Sequence, residues 1–263
     1  MSNASSDPKV AQPAKGRGVP WNPWLGFGYG ILLFIVAQIV AELLVSIYPM
    51  MRGWTGAHTI DWLQNSLPAQ LSYLSLSVLL TTGGVVMFAK THGRPGLRSI
   101  GLKRPRWQDP LYALGGFPVY YLILITAVVL AKALVPALDI NQAQDLGLND
   151  RYNATQLVFI FICLAVLAPV AEELLFRGLI YSSLKKALPS WGAVVLTSGL
   201  FAAGHLAEGG ASGPLYIAAI DTFVLSLVLI YLREKTGRIW ASIGLHSLKN
   251  IIAFVSLFVL HLS

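Results

Sequence analysis

Apolar residues in this chain come in long unbroken runs rather than in the alternating or helical periods of a soluble fold. The runs are Leu25 to Ile47, Ala69 to Ala89, Leu111 to Leu134, Thr155 to about Phe176, Trp191 to Leu206, Pro214 to Leu232 and Ile239 to Leu260. About 20 apolar residues are what a helix needs to cross the hydrocarbon core of a bilayer. Backbone groups in lipid must be satisfied within the segment, and barrel strands are far shorter than these runs. The pattern therefore predicts an all-α fold, a polytopic transmembrane helical bundle of about seven spans, with eight helices as the upper count. The run 191–206 is short for a crossing, so a re-entrant or mostly protein-buried helix is expected there.

Residues 1–23 are polar, rich in Ser, Ala, Pro, Lys and Gly, and lack the apolar core of a signal peptide. They are expected to form a disordered tail ahead of a membrane domain over 24–263. The Trp21-Asn22-Pro23-Trp24 sequence suits the membrane interface, which favours a retained first span.

Composition agrees with this picture and excludes alternatives. Hydrophobic residues make up 55% and charged residues 12%, and the mean hydropathy is +0.64. Soluble domains carry about 25% charged residues, so most of this surface is expected to face lipid. A single cysteine, Cys163, rules out an intrachain disulfide, and no Cys/His cluster has zinc-finger spacing.

The net charge of +7 could point to nucleic acid or to membrane orientation. With the N-terminus inside, the inside segments hold Lys9, Lys15 and Arg17, then Lys90, Arg94, Arg98, Lys103, Arg104 and Arg106. Further along they hold Lys185 and Lys186, then Arg233, Lys235 and Arg238. The other side holds only Arg52 and Arg151, together with Asp61, Asp139, Asp145, Asp150 and Glu208. Cytoplasmic loops carry the excess of Lys and Arg, so the N-terminus and the tail are expected to be cytoplasmic. The surplus charge is then explained by topology, and no nucleic-acid partner is expected. The Asn153-Ala154-Thr155 sequon has meaning only in a secretory pathway.

Seven charged residues remain inside the spans: Glu42, Lys132, Glu172, Glu173, Arg177, Asp221 and Lys249. A charge in the membrane is costly, so each marks either a pair or a function. Glu42 and Lys132 lie near span ends, where long side chains snorkel or pair. Asp221 and Lys249 lie at similar depth on consecutive antiparallel spans, and an ion pair is expected.

The densest chemistry is Glu172-Glu173-x-x-x-Arg177. Glu173 and Arg177 are four apart on a helix and share a face, which favours an ion pair. Glu172 points about 100° away and is left to face something else. A carboxylate without a cation beside it in an apolar site is suited to accept a proton. The plainer reading is a charged helix end at the interface, paired with Lys185 or Lys186. His205 ends Phe201-Ala202-Ala203-Gly204-His205, where small residues let helices approach, and His246 and Asn250 are four apart on the last span. A carboxylate and a histidine can activate water, while a second histidine and an amide can donate to an oxyanion. No serine sits in a Gly-x-Ser-x-Gly context, and Cys163 is not placed as a nucleophile.

These three motifs, in this order and on separate spans, resemble the CPBP family of intramembrane proteases. That family is also called ABI or CAAX-protease-related, and includes the eukaryotic Ras-converting CAAX endopeptidase. The resemblance covers the stretch 155–260, with a looser likeness in the loop Ile100 to Pro105. It implies an intramembrane endopeptidase with Glu172 and His205 activating water, His246 and Asn250 forming an oxyanion hole, and Glu173 and Arg177 supporting them. Family members have also been described as metalloproteases, and in that case Glu172, His205 and His246 would hold a zinc ion. The chain lacks His-Glu-x-x-His, so a metal-free glutamate mechanism with no cofactor is the expectation. Asp221 and Lys249 depart from the uncharged residues expected at these positions.

The expected partners are the lipid bilayer and a peptide or protein substrate, lipid-modified in the eukaryotic relatives. Two other classes compete: a catalytically silent scaffold or immunity-type protein of the same fold, and, with less support, a proton-coupled transporter. The lack of a transit peptide favours a multi-pass protein of the bacterial cytoplasmic membrane.

Overall fold

The computed structural model describes residues 18–92, 96–142, 152–206 and 213–260. The tail residues 1–17, Arg94, Asp145, Asp150, Arg151 and Glu208 lie outside them. Among the described residues the fold is all helical. The helices are α1 (Pro23–Met51), α2 (Gly56–Asn65), α3 (Leu67–Thr91), α4 (Gln108–Leu134), α5 (Ala154–Ala187), α6 (Ser190–His205), α7 (Tyr216–Thr236) and α8 (Trp240–Val259). A short 3-10 turn, Gly96–Arg98, lies between α3 and α4.

Six of these helices are long and apolar enough to cross a membrane, and α2 and α6 are the exceptions. The expected span at 191–206 is the 16-residue α6, which packs on α5 and α7 and leaves Trp191, Val195 and Leu196 exposed. The run of turns and polar residues before the second span also holds a separate helix, α2. Outward faces are apolar where lipid is the solvent: Leu32, Ile35, Ile39 and Leu43 on α1, and Leu122, Ile125 and Val129 on α4.

Helix α5 is the axis of the bundle, with α1, α3, α6 and α8 all packed on it. A capping box starts it: Asn153 Oδ1 accepts from Gln156 N at 3.0 Å, and Gln156 Oε1 accepts from Asn153 N at 2.9 Å. Those bonds explain the sequon residue structurally. Two segments of α5, Ile162–Leu167 and Glu173–Ile180, are π-helical. Helix α4 completes the bundle by packing on α7 and α8.

The four segments to which the sequence assigns the cationic excess meet at one end of the bundle. Lys186 Nζ donates to the carbonyls of Val19 and Trp21 at 2.9 and 3.1 Å. Lys185 pairs with Glu234, Ile239 N donates to Gly101 O at 3.2 Å, and Trp240 Nε1 donates to Lys103 O at 2.6 Å. Gly101 has φ +84°, and a Cβ there would lie 2.7 Å from the Arg233 guanidinium, so the turn requires glycine. Residues 18–22, counted with the tail by sequence, are held in place: Val19 and Trp21 are buried, and Trp21 Nε1 donates to Ser183 Oγ at 2.9 Å. Their apolar side chains fill the gap between α1, α3 and α5.

Candidate active site

Glu172 ends the α-helical turn between the two π segments of α5. π turns are rare and recur at functional sites. Its Oε2 is buried and forms no hydrogen bond, and it lies 3.6 Å from His246 Nε2. Neither Lys185 nor Lys186 reaches it, since one pairs with Glu234 and the other caps carbonyls. The interface-pairing reading of Glu172 is thereby set aside.

Glu173 is wholly buried, as helical spacing suggested. Its Oε1 meets Arg177 Nη1 at 2.9 Å and accepts from His246 Nδ1 at 3.0 Å. The Arg177 guanidinium is also wholly buried and lies 4.2 Å from the centre of the Phe201 ring, within range of a cation–π attraction. His246 thus stands between two adjacent carboxylates, held at Nδ1 by Glu173 and facing Glu172 with Nε2. Sequence spacing alone does not join Glu173 to His246, because that contact depends on the packing register of α5 against α8.

His205 ends α6, with Nδ1 2.8 Å from Phe201 O and its ring 4.7 Å from the Phe201 ring. Straight spans would put His205 at a different depth from Glu172. Both nonetheless line one cavity: α5 and α6 are packed neighbours joined at the basic end, and the two residues are equally far in sequence from that turn. Asn250 Nδ2 donates to Leu164 O at 2.9 Å, a carbonyl within the first π segment of α5.

Glu172, His205, His246 and Asn250 all line one cavity of about 560 Å³. Ile160, Leu164, Phe254, Leu257 and Phe258 form an apolar wall. Asp221 and Lys249 line it as well, paired at 3.1 Å as expected, and Tyr120 OH donates to the same aspartate. Lys132 donates to the carbonyls of Pro136 and Leu138, which supports its structural reading.

A further polar part of the lining is not visible as a site in the sequence reading. Gln70, Tyr73, Ser77 and Thr81 of α3 line the cavity together with Gln38 of α1. Their spacing of three, four and four puts the α3 group on one helix face. That 3-4 recurrence inside an apolar run is the signal that could have revealed them.

Among the described residues, no group of three or more His, Cys, Asp or Glu side chains is arranged to hold a metal ion. Glu172, His205 and His246 share the cavity without forming such a group, and no step is derived through zinc.

Carboxylates and histidines gathered in a cavity among helices able to cross a membrane have the makings of an intramembrane hydrolase. Residues 154–252 match the family model described as type II CAAX prenyl endopeptidase Rce1-like, in agreement with the resemblance carried by the three motifs. The match supports an intramembrane protease and an integral membrane protein. The chain is also similar to the uncharacterized protein YyaK of Bacillus subtilis strain 168. The two are 26% identical over 255 residues, which cover 94% of this chain and 81% of YyaK. No solved structure matches.

Proposed function

We propose that this protein is an intramembrane endopeptidase that hydrolyses a peptide bond of a membrane-associated substrate through a metal-free glutamate mechanism. One observation carries the reading: the Glu172 carboxylate lies in a cavity within the bundle, has an oxygen without a hydrogen-bond partner, and shares that cavity with His205, His246 and Asn250.

A water held by Glu172 and His205 attacks the carbonyl carbon of the scissile bond as Glu172 takes its proton. The new C–O bond turns the carbonyl oxygen into an oxyanion, which His246 and Asn250 stabilise. Glu172 then delivers the proton to the departing nitrogen as the C–N bond breaks, giving a carboxylate and an amine. Glu173 and Arg177 hold His246 in orientation through Nδ1, and donation to the oxyanion from Nε2 uses the imidazolium form, which carries a proton on each ring nitrogen. Asn250 has one amide hydrogen committed to Leu164 and a second to offer.

The basic end is taken as cytoplasmic, by the distribution of Lys and Arg, and the similarity to a Bacillus protein supports a bacterial cytoplasmic membrane. The apolar wall suits a substrate carrying a lipid, so prenylated CAAX peptides belong in the first panel tested.

The test is cleavage by the full chain in proteoliposomes, wild type against Glu172→Gln. Gln keeps the shape and cannot act as base, so the expected result is loss of at least about 100-fold in rate. Retained cleavage overturns the mechanism. Inhibition by a chelator that zinc reverses overturns its metal-free part. No turnover of any peptide in the panel favours the silent scaffold.

A further inference from the structure

We infer that the α1 and α3 wall of the cavity that holds Glu172 is a docking rail for the main chain of an extended peptide, with Tyr73, Ser77 and Gln38 as its hydrogen-bonding groups. The inference rests on the endopeptidase reading and adds a binding site on helices outside the stretch matched by the family model.

The chemistry of the substrate demands such a site. A peptide bond can be attacked only when it is unwound from a helix, and unwinding in lipid leaves backbone N–H and C=O groups without partners, at several kcal/mol each. The cavity must therefore offer polar groups along the line of the chain, and its apolar wall does not.

The α3 stripe does. From Gln70 to Thr81 it advances about 16 Å along the helix, the length of about five extended residues. Gln70 commits its amide to the carbonyls of Leu63 and Gln64 and closes one end. Within the stripe, Gln38 Oε1 accepts from both Tyr73 OH and Ser77 Oγ. That leaves the amide N–H groups of Gln38 and the acceptor lone pairs of the two hydroxyls for a bound chain. Uncharged polar side chains clustered in mid-span carry a cost, and here they line the same cavity as the proposed base.

The test uses the full chain in proteoliposomes with a peptide that the wild type cleaves. Tyr73→Phe, Ser77→Ala and Gln38→Leu each remove hydrogen-bonding groups while keeping most of the bulk. One lost hydrogen bond corresponds to a rise in KM of about 2- to 10-fold, with kcat retained. Replacing single substrate amides by esters gives a second readout. An ester that weakens binding to the wild type should cost nothing further in the variant lacking its partner. Unchanged KM in all three variants, equal ester penalties in wild type and variants, or a KM that rises only in step with a falling Tm overturns the rail.

Binding of each panel peptide, cleaved or not, to the Glu172→Gln protein, followed by fluorescence anisotropy, separates the two readings. Absence of turnover by the wild type counts against the endopeptidase. A Kd weakened by the rail variants upholds the rail in either case, and a Kd they leave unchanged overturns it.

Discussion

Two buried arginine–carboxylate pairs, one at each level of the bundle, show how differently the same chemistry can be used. At the basic end Arg238 binds Asp109 with a full fork: Nε lies 3.2 and 3.1 Å from the two carboxylate oxygens and Nη2 2.8 Å from one of them. Arg106 N adds a fourth bond at 2.7 Å. This pair joins the start of α4 to the turn before α8 and leaves the carboxylate well satisfied. In the core Arg177 meets a single oxygen of Glu173, none of its nitrogens has an aligned hydrogen bond, and the other Glu173 oxygen has no partner. What the inner pair has in exchange is His246. The outer pair holds helices together, while the inner pair holds a side chain at a reaction centre. A buried ion pair is weak as an argument for stability, and its unmet hydrogen bonds say more about function than its existence does.

The comparison can be broken by substitution. The largest effect is expected from Arg177→Met, which strands the Glu173 carboxylate with only His246. Thermal unfolding should show a loss of about 3–5 kcal/mol, and cleavage should fail in whatever protein folds. Arg238→Met should cost less, about 2–4 kcal/mol, because the Arg106 N–H stays on Asp109, and the cleavage rate of the folded protein should be unchanged. Converting each pair wholly to apolar residues sharpens the contrast. Asp109→Leu with Arg238→Met should recover stability and keep activity, whereas Glu173→Leu with Arg177→Met should recover stability alone. Activity in the second double variant would mean that Glu173 does not position His246. The smallest effect belongs to Lys185→Ala, since that pair with Glu234 is about two-fifths exposed. At most about 1 kcal/mol should be lost, with no change in cleavage.

Most of the bundle is legible in the sequence because lipid imposes one demand, a continuous apolar helix, and runs such as Leu25 to Ile47 answer it plainly. The limits of α1 and α3 lie within a few residues of the expected runs. Helix α2 was missed because its ten residues mix polar and apolar types and have no run to detect. The π segments of α5 escape for another reason: a change from one helical hydrogen-bond step to the next leaves the apolar run unbroken, so hydropathy does not register it. At the site, the polar residues of the three motifs are visible because charges and histidines stand out from an apolar background. The link from Glu173 to His246 is not visible, being long-range, and the Gln70 to Thr81 stripe is averaged away by any hydropathy window.

The short α6 has a consequence for the membrane around it. Sixteen helical residues extend about 24 Å, against a hydrocarbon core of about 30 Å. Hydrophobic mismatch of this kind is relieved by thinning the lipid beside the short element. Thinning at the end of α6 that carries His205 would draw the boundary between lipid and water inward and shorten the path by which water reaches the cavity. Bilayer thickness thereby becomes a variable of the reaction itself.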